Sequence, residues 1–268
     1  MNPSVATFSL ENRIILLTGA AGLLGTPMAR QIAEAGAHVI LNGRSKEKLE
    51  NLAEEIQSAG HSCTVMAFDV SDEAAIDTAV VDITKKFGKL HGIVNNAYAG
   101  PTGNVASSTP QQTRDSLNYN ITMPFYIVQQ CLPLLKKGRE DGFSSAVVNI
   151  ASMYGVVSPD PRIYGDSGFN NPPFYGAGKA GLIQVTKYLA CHLATEGVRV
   201  NSISPGPFPP DRAKTDHPEF YEKLRLKVPM ERTGQPGEIS GAVQFLLSDA
   251  ASFITGINLP VDGGWTAN

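Results

Sequence analysis

The chain has 268 residues, 42% of them hydrophobic and 18% charged, which is enough to bury one large core and fits a single α/β domain over residues 1–268. A net charge of −3 offers no electrostatic footprint for nucleic acid or for an anionic membrane surface. No apolar run approaches the roughly 20 residues of a membrane span, residues 1–13 lack the pattern of a signal peptide, and Cys63, Cys131 and Cys191 are too scattered for a disulfide framework, so a reduced, cytosolic protein is expected. In chain order, short apolar runs alternate with longer amphipathic segments. Residues 13–18 read as a buried strand, 24–35 as a helix, 37–42 as a strand and 46–59 as a helix. Further strands are expected at 62–68, 91–95, 146–151 and 198–203, with helices near 73–86, 111–135 and 174–195. Such repeated units imply a doubly wound parallel sheet with helices on both faces, and ligands on such sheets bind beyond the carboxyl ends of the strands. Residues 156–173 and 205–218 are irregular and rich in Gly, Pro and Asp, and long loops of this kind are usually functional or mobile.

The first strand runs into Thr18-Gly19-Ala20-Ala21-Gly22-Leu23-Leu24-Gly25, just before the first helix. Glycines there allow a tight turn and let a pyrophosphate approach backbone amides, where the helix dipole favours anionic oxygens. Glycine-rich runs also serve ordinary turns, and the position between strand and helix is what points to a dinucleotide. Further on, Tyr175 and Lys179 stand four apart, which on a helix stacks them on one face, one turn apart. A free phenol has a pKa of about 10, and lowering it by roughly 3 units takes about 4 kcal/mol. A unit charge about 4 Å away in an effective dielectric near 20 supplies energy of that order. Alone, such a pair is more often a packed phenol and a solvated lysine. Ser152 follows the apolar run 146–151, so its hydroxyl should sit at a strand's carboxyl end, able to bond a substrate carbonyl.

Taken together these residues resemble the short-chain dehydrogenase/reductase family over nearly the whole chain. Thr18, Gly19 and Gly25 match the family's glycine loop, with Gly22 one place early and Leu23 where the middle glycine is expected, a spacing like that of the family's longer branch. The rest looks like the short, single-domain branch. Asp69-Val70 matches the acidic position that contacts adenine, and Asn95-Asn96-Ala97 matches the Asn-Asn-Ala-Gly motif, with Tyr98 in place of its glycine. Asn120, Ser152, Tyr175 and Lys179 match the catalytic four, Pro205-Gly206 the nicotinamide-side turn, and Asp262-Gly263-Gly264 the usual ending. The resemblance implies a Rossmann-like fold and hydride transfer between a nicotinamide and a carbonyl or secondary alcohol. Tyr175 would then be the general acid/base, Ser152 would hold the oxygen, Lys179 would hold the ribose, and Asn120 would keep a water in the proton path. A long helix also carries asparagines that only satisfy buried backbone groups. Cofactor contacts are expected from Thr18, Gly19, Gly22, Leu24, Gly25, Arg44, Ser45, Asp69, Val70, Asn96, Ala97, Tyr175, Lys179, Pro205 and Gly206.

NADP(H) is expected over NAD(H), with NAD(H) as the weaker alternative. Gly43 aligns with the carboxylate of NAD enzymes, and Arg44 follows it, able to pair with a phosphate or stack on adenine. The resemblance also implies a homotetramer built on the helices near 111–135 and 174–195, where Leu182, Val185, Leu189 and Leu193 give the second helix an apolar face to bury, here or against its own sheet. No catalytic metal is expected, because His38, His61, His91, His192 and His217 show no ligand spacing, and Ser152 lacks the Gly-x-Ser-x-Gly elbow of a hydrolase. The reading from another class is a dinucleotide-binding sensor that has lost turnover. For the substrate, residues 156–173 form an interval longer than the family commonly shows and carry Asp160, Arg162, Tyr164, Asp166, Asn170 and Asn171. The wording from Ser152 to Asp160 resembles members associated with surface-polysaccharide and unusual-sugar synthesis. A polyhydroxylated or sugar-like substrate is expected, with a small ketone or a 3-oxoacyl group as the alternative.

Overall fold

Strands buried on both faces need apolar side chains on both, and the short runs of Val, Ile and Leu in this chain meet that demand. In the computed structural model, which describes residues 8–100, 103–165, 167 and 170–267, they form β1 (Ile14–Leu17), β2 (His38–Gly43), β3 (Cys63–Ala67), β4 (Gly92–Asn95), β5 (Ser145–Ile150), β6 (Val198–Pro205) and β7 (Asn258–Val261). All pairings are parallel, in the order β3-β2-β1-β4-β5-β6-β7. The helices are α1 (Gly25–Glu34), α2 (Lys46–Ser58), α3 (Glu73–Phe87), α4 (Pro110–Leu117), α5 (Met123–Gly138), α6 (Pro161–Tyr164), α7 (Pro173–Leu193), α8 (Arg212–Asp216), α9 (Pro218–Lys227) and α10 (Ser240–Leu247). The chain therefore has the expected doubly wound fold.

The two-residue period of the strands divides the core in two. Ile15, Leu17, Val39 and Leu41 face α1, α2 and α10 through Met28, Ile32, Leu49 and Val243. Leu16, Ile40, Ile93 and Val147 face α3, α5 and α7 through Ile83, Cys131 and Leu189. The strand order reverses between β1 and β4, which opens a crevice at their carboxyl ends. Thr18 ties that point together: its hydroxyl donates to the Val94 carbonyl at 3.2 Å and accepts the Asn96 and Ala97 amides at 2.9 and 3.1 Å.

Two expectations need correction, and a third question is answered. The helix near 111–135 is two helices joined by a π-helical turn at Asn118–Thr122. The irregular regions contain α6 and α8. Leu182, Leu189 and Leu193 are buried against the chain's own sheet, with Val185 packed beside them, because the apolar stripe of α7 is the face that covers the strands. The large hydrophobic side chains these helices expose are Tyr188 of α7 and Phe125 of α5.

Candidate active site

The crevice at the switch point holds a cavity of about 420 Å³ lined by Gly19, Gly22, Leu24, Arg44, Ser45, Asp69, Val70, Asn96 and Ala97, nine of the residues expected to meet a dinucleotide. Thr18 and Gly25 stand behind this wall. Gly19 has φ +66°, and a Cβ on Gly25 would lie 2.0 Å from the Gly19 carbonyl oxygen, so the loop can close tightly on the start of α1 only with glycine at both places. Leu24 provides no side-chain cap and the first turn of α1 has no acidic residue, so the positive end of the helix dipole meets no carboxylate there, although the Thr26 amide already donates to the Gly22 carbonyl and Pro27 has none to give. These features fit a pyrophosphate. Asp69 accepts the Ser71 amide and hydroxyl through Oδ1, at 2.9 and 2.8 Å.

At the adenosine end, Ser45 caps α2 by accepting the Lys48 amide at 3.4 Å, so part of its capacity goes to the helix instead of a ligand. Arg44 is exposed and makes no ion pair among the described residues. Lys48, on the first turn of α2, lines the same cavity and is equally free of a carboxylate. It was not among the expected residues; the helical spacing from its cap, Ser45, was the signal that could have found it.

The expected catalytic residues converge beyond β5. Ser152 is buried and accepts the Tyr154 amide at 3.1 Å. Burial pushes the Tyr175 phenol up to about 12, with the neighbouring Ser152 hydroxyl acting in the opposite direction. Lys179 is 4% exposed and donates from Nζ to the Ile150 carbonyl at 2.7 Å. Burial brings its ammonium down to about 7. The protein groups alone therefore do not lower the phenol as the sequence spacing suggested. Both side chains share one site, but desolvation penalises the charged form of each. Lys179 Nζ lies 5.8 Å from the Tyr175 ring centre and turns to a carbonyl instead of the phenol.

Asn120 sits in the π turn, a local widening often found at functional sites. Its Nδ2 donates to the Ser116 carbonyl at 2.9 Å and to Ser116 Oγ at 3.2 Å, while its Oδ1 is buried with no hydrogen-bond partner among the described residues. That open acceptor is what a water-holding role requires. Pro205 ends β6, and the Gly206 amide donates to the Val261 carbonyl at 2.9 Å, which fixes the turn beside β7. Neither they nor Tyr175 and Lys179 line the crevice cavity.

A second cavity of about 540 Å³ begins at Met153 and Tyr154 and is walled by Tyr164, Asn170, Asn171, Phe208, Arg212 and Phe220, among others. The Tyr154 and Tyr164 hydroxyls meet at 3.0 Å, and Tyr164 stacks on Phe220 with ring centres 5.8 Å apart. Asp160 and Arg162, expected over the site, are engaged with each other, and Asp160 also pairs with Lys227 at 3.1 Å. Asp166 lies outside the described residues. Arg212 makes no ion pair among the described residues and was not anticipated, because α8 is too short to show a periodic pattern.

Comparison with known proteins agrees with this geometry. The family described as enoyl-(acyl carrier protein) reductase matches residues 19–266. The chain is 33% identical to the 3-oxoacyl-[acyl-carrier-protein] reductase FabG of Staphylococcus aureus over 250 residues, 93% of this chain and 96% of that protein. The structure of the Pseudomonas aeruginosa RhlG/NADP active-site complex superposes with a TM-score of 0.88 at 29% identity, covering 98% of this chain and 99% of that one. A gluconate 5-dehydrogenase from Burkholderia cenocepacia, solved with NADP and tartrate, gives 0.86 at 28% identity, covering 97% and 98%. With the glycine loop, the convergence of Ser152, Tyr175 and Lys179 and these relatives in agreement, the chain belongs to the short-chain dehydrogenase/reductase family of oxidoreductases.

Proposed function

We propose that the chain reduces a carbonyl to a secondary alcohol with NADPH, reversibly, with Tyr175 as the general acid and base. The observation that carries this reading is the convergence of Ser152, Tyr175 and Lys179 just beyond the carboxyl end of β5, with Lys179 Nζ held on the Ile150 carbonyl at 2.7 Å and Ser152 acting on the Tyr175 phenol. A carbonyl oxygen seated between the Ser152 and Tyr175 hydroxyls would accept from both. A phenol held near 12 is protonated at neutral pH, which suits proton donation to a developing alkoxide. NADPH, when bound, supplies the hydride. Lys179 would hold the ribose, and Asn120 Oδ1 a water that resupplies the proton. The crevice residues would hold the dinucleotide, Arg44 and Lys48 meeting its 2′-phosphate and Pro205 and Gly206 flanking the nicotinamide. The NADP named with the RhlG and gluconate 5-dehydrogenase structures supports this choice.

For the substrate we read a polyhydroxylated, sugar-like compound. The paired phenols of Tyr154 and Tyr164, Asn170, Asn171 and Arg212 give the second cavity a polar, hydrogen-bonding wall. The structural likeness to a gluconate 5-dehydrogenase points the same way. A second reading, a 3-oxoacyl reductase, is favoured by the identity with FabG and by Met153, Phe208, Phe220 and Leu224 on the same cavity. Fluorescence titration with NADPH, followed by a screen of sugars, sugar acids, polyols, diketones and acyl thioesters, separates these readings. A cofactor-binding sensor would bind NADPH and oxidise it with none of them. A cytosolic homotetramer would bury the exposed faces of α5 and α7 around Phe125 and Tyr188, and light scattering showing a monomer at micromolar concentration would reject it.

A further inference from the structure

Tyr98 stands where the family motif has a glycine, and its side chain reaches the centre of the site. Its ring meets the Tyr175 ring edge to face, with centres 5.0 Å apart at 70°, and Lys179 Nζ lies 5.5 Å from the centre of the Tyr98 ring. A second ring contact, to Tyr119 at 6.5 Å, backs it from the side of the π turn. Burial raises the Tyr98 phenol, with Ser116 acting in the opposite direction, so the side chain enters the site as a neutral ring.

We infer that Tyr98 is a positioning residue, its ring holding the Lys179 ammonium and the Tyr175 phenol in register. The inference rests on the assignment of those two residues to the reaction. An ammonium near an aromatic face gains electrostatic attraction that persists without water. Lys179 depends on it, because it is buried and its hydrogen bond goes to one carbonyl, that of Ile150. The titratable groups around it are the phenols of Tyr98, Tyr154 and Tyr175, all raised by burial and neutral, and no carboxylate pairs with Lys179 among the described residues. Beside the Ile150 carbonyl, the rings of Tyr98 and Tyr175, at 5.5 and 5.8 Å, are then the groups that favour the charged form, and the Tyr98 ring is the nearer of the two.

The test is the pH dependence of NADPH affinity, read by fluorescence from about pH 6 to about 9 in the wild type, Tyr98→Phe, Tyr98→Leu and Lys179→Met. As pH rises the ammonium is lost and the hold on the ribose weakens. Without the ring, that loss should come earlier, so Tyr98→Leu should move the midpoint down by about 0.5 to 1 unit, while Tyr98→Phe keeps it. If Tyr98→Leu does not fold, Tyr98→Gly, which restores the family residue, replaces it. A midpoint unchanged in Tyr98→Leu, or moved equally in Tyr98→Phe, overturns the inference. A wild-type midpoint that persists in Lys179→Met overturns the assignment of Lys179 itself, a different failure.

Discussion

Lys179 lies one helical turn beyond Tyr175, yet its Nζ is 5.8 Å from the phenol ring centre and bonds the Ile150 carbonyl at 2.7 Å. Burial has brought the ammonium to about 7, well below its ordinary value, so the unfolded chain binds the proton more tightly than the folded one. Stability must then rise with pH between about 7 and the ordinary lysine range, and the full penalty applies below about 7. Each unit of depression corresponds to about 1.4 kcal/mol, and each kcal/mol moves the melting temperature of a chain this size by about 2 to 4 °C. Cofactor-free Lys179→Met should therefore melt several degrees above the wild type at neutral pH, with the gap closing toward pH 10. A gap that widens as pH rises would show that Lys179 is held charged.

Tyr175→Phe removes the proposed proton donor but keeps the ring against Tyr98 and the helix intact. Turnover should fall by about 10² to 10⁴-fold, the usual scale for general acid catalysis, with NADPH affinity little changed. Ser152→Ala should lose turnover too, since the substrate oxygen would lose the hydroxyl proposed to hold it. Steady-state kinetics beside a fluorescence titration reads both. Near wild-type turnover in Tyr175→Phe would remove the basis of the assignment.

The strands and the cofactor crevice were legible in the sequence because each depends on a local pattern. Ile14–Leu17 and Ser145–Ile150 are apolar runs of the right length, and the turn from Thr18 to Gly25 has its glycines where the backbone closes. The π turn at Asn118–Thr122 was not legible, since one residue of helical slippage leaves the pattern of apolar and polar positions unbroken. β7 escaped because it is a half-buried edge strand carrying Pro260. The pocket wall at Arg212 and Phe220 depends on how α8 packs on α9 and α9 on α6, which no local period encodes.

Gly178 makes the packing around the π turn testable. A Cβ there would lie 2.8 Å from Asn120 Nδ2 and 3.0 Å from Asn120 Cβ, and both sides of this contact are buried. Gly178→Ala should force Asn120 off its bonds to Ser116 and cost about 1 to 3 kcal/mol, the range for overpacking a tight core. Chemical denaturation measures the loss. An unchanged midpoint would mean that α7 can move away from the turn freely, and the close approach would then have no part in placing Asn120.

The preference between cofactors turns on the carboxyl end of β2. Gly43 occupies the place of the acid that NAD enzymes use, and a Cβ added there meets only Leu49 at 3.5 Å, an ordinary contact. A side chain is therefore sterically admissible, and what matters is its charge. Gly43→Asp should put a carboxylate on the cavity wall shared with Arg44 and Lys48, repel a 2′-phosphate and pair with the adenosine hydroxyls instead. NADPH affinity should fall and NADH affinity hold or rise. Arg44→Ala tests the opposite contribution: loss of a hydrogen bond to a charged group should weaken NADPH by about 1.5 to 3 kcal/mol and NADH much less. Lys48 lies on the same wall, so Lys48→Ala should weaken NADPH in the same sense, and the double variant should lose more than either alone. The three are read by titrating each variant with both nucleotides at one ionic strength, because exposed charge pairs are screened by salt. Equal losses for NADPH and NADH in Arg44→Ala would assign its guanidinium to adenine stacking, and the choice of NADP would then depend on Lys48 and on the missing carboxylate at Gly43.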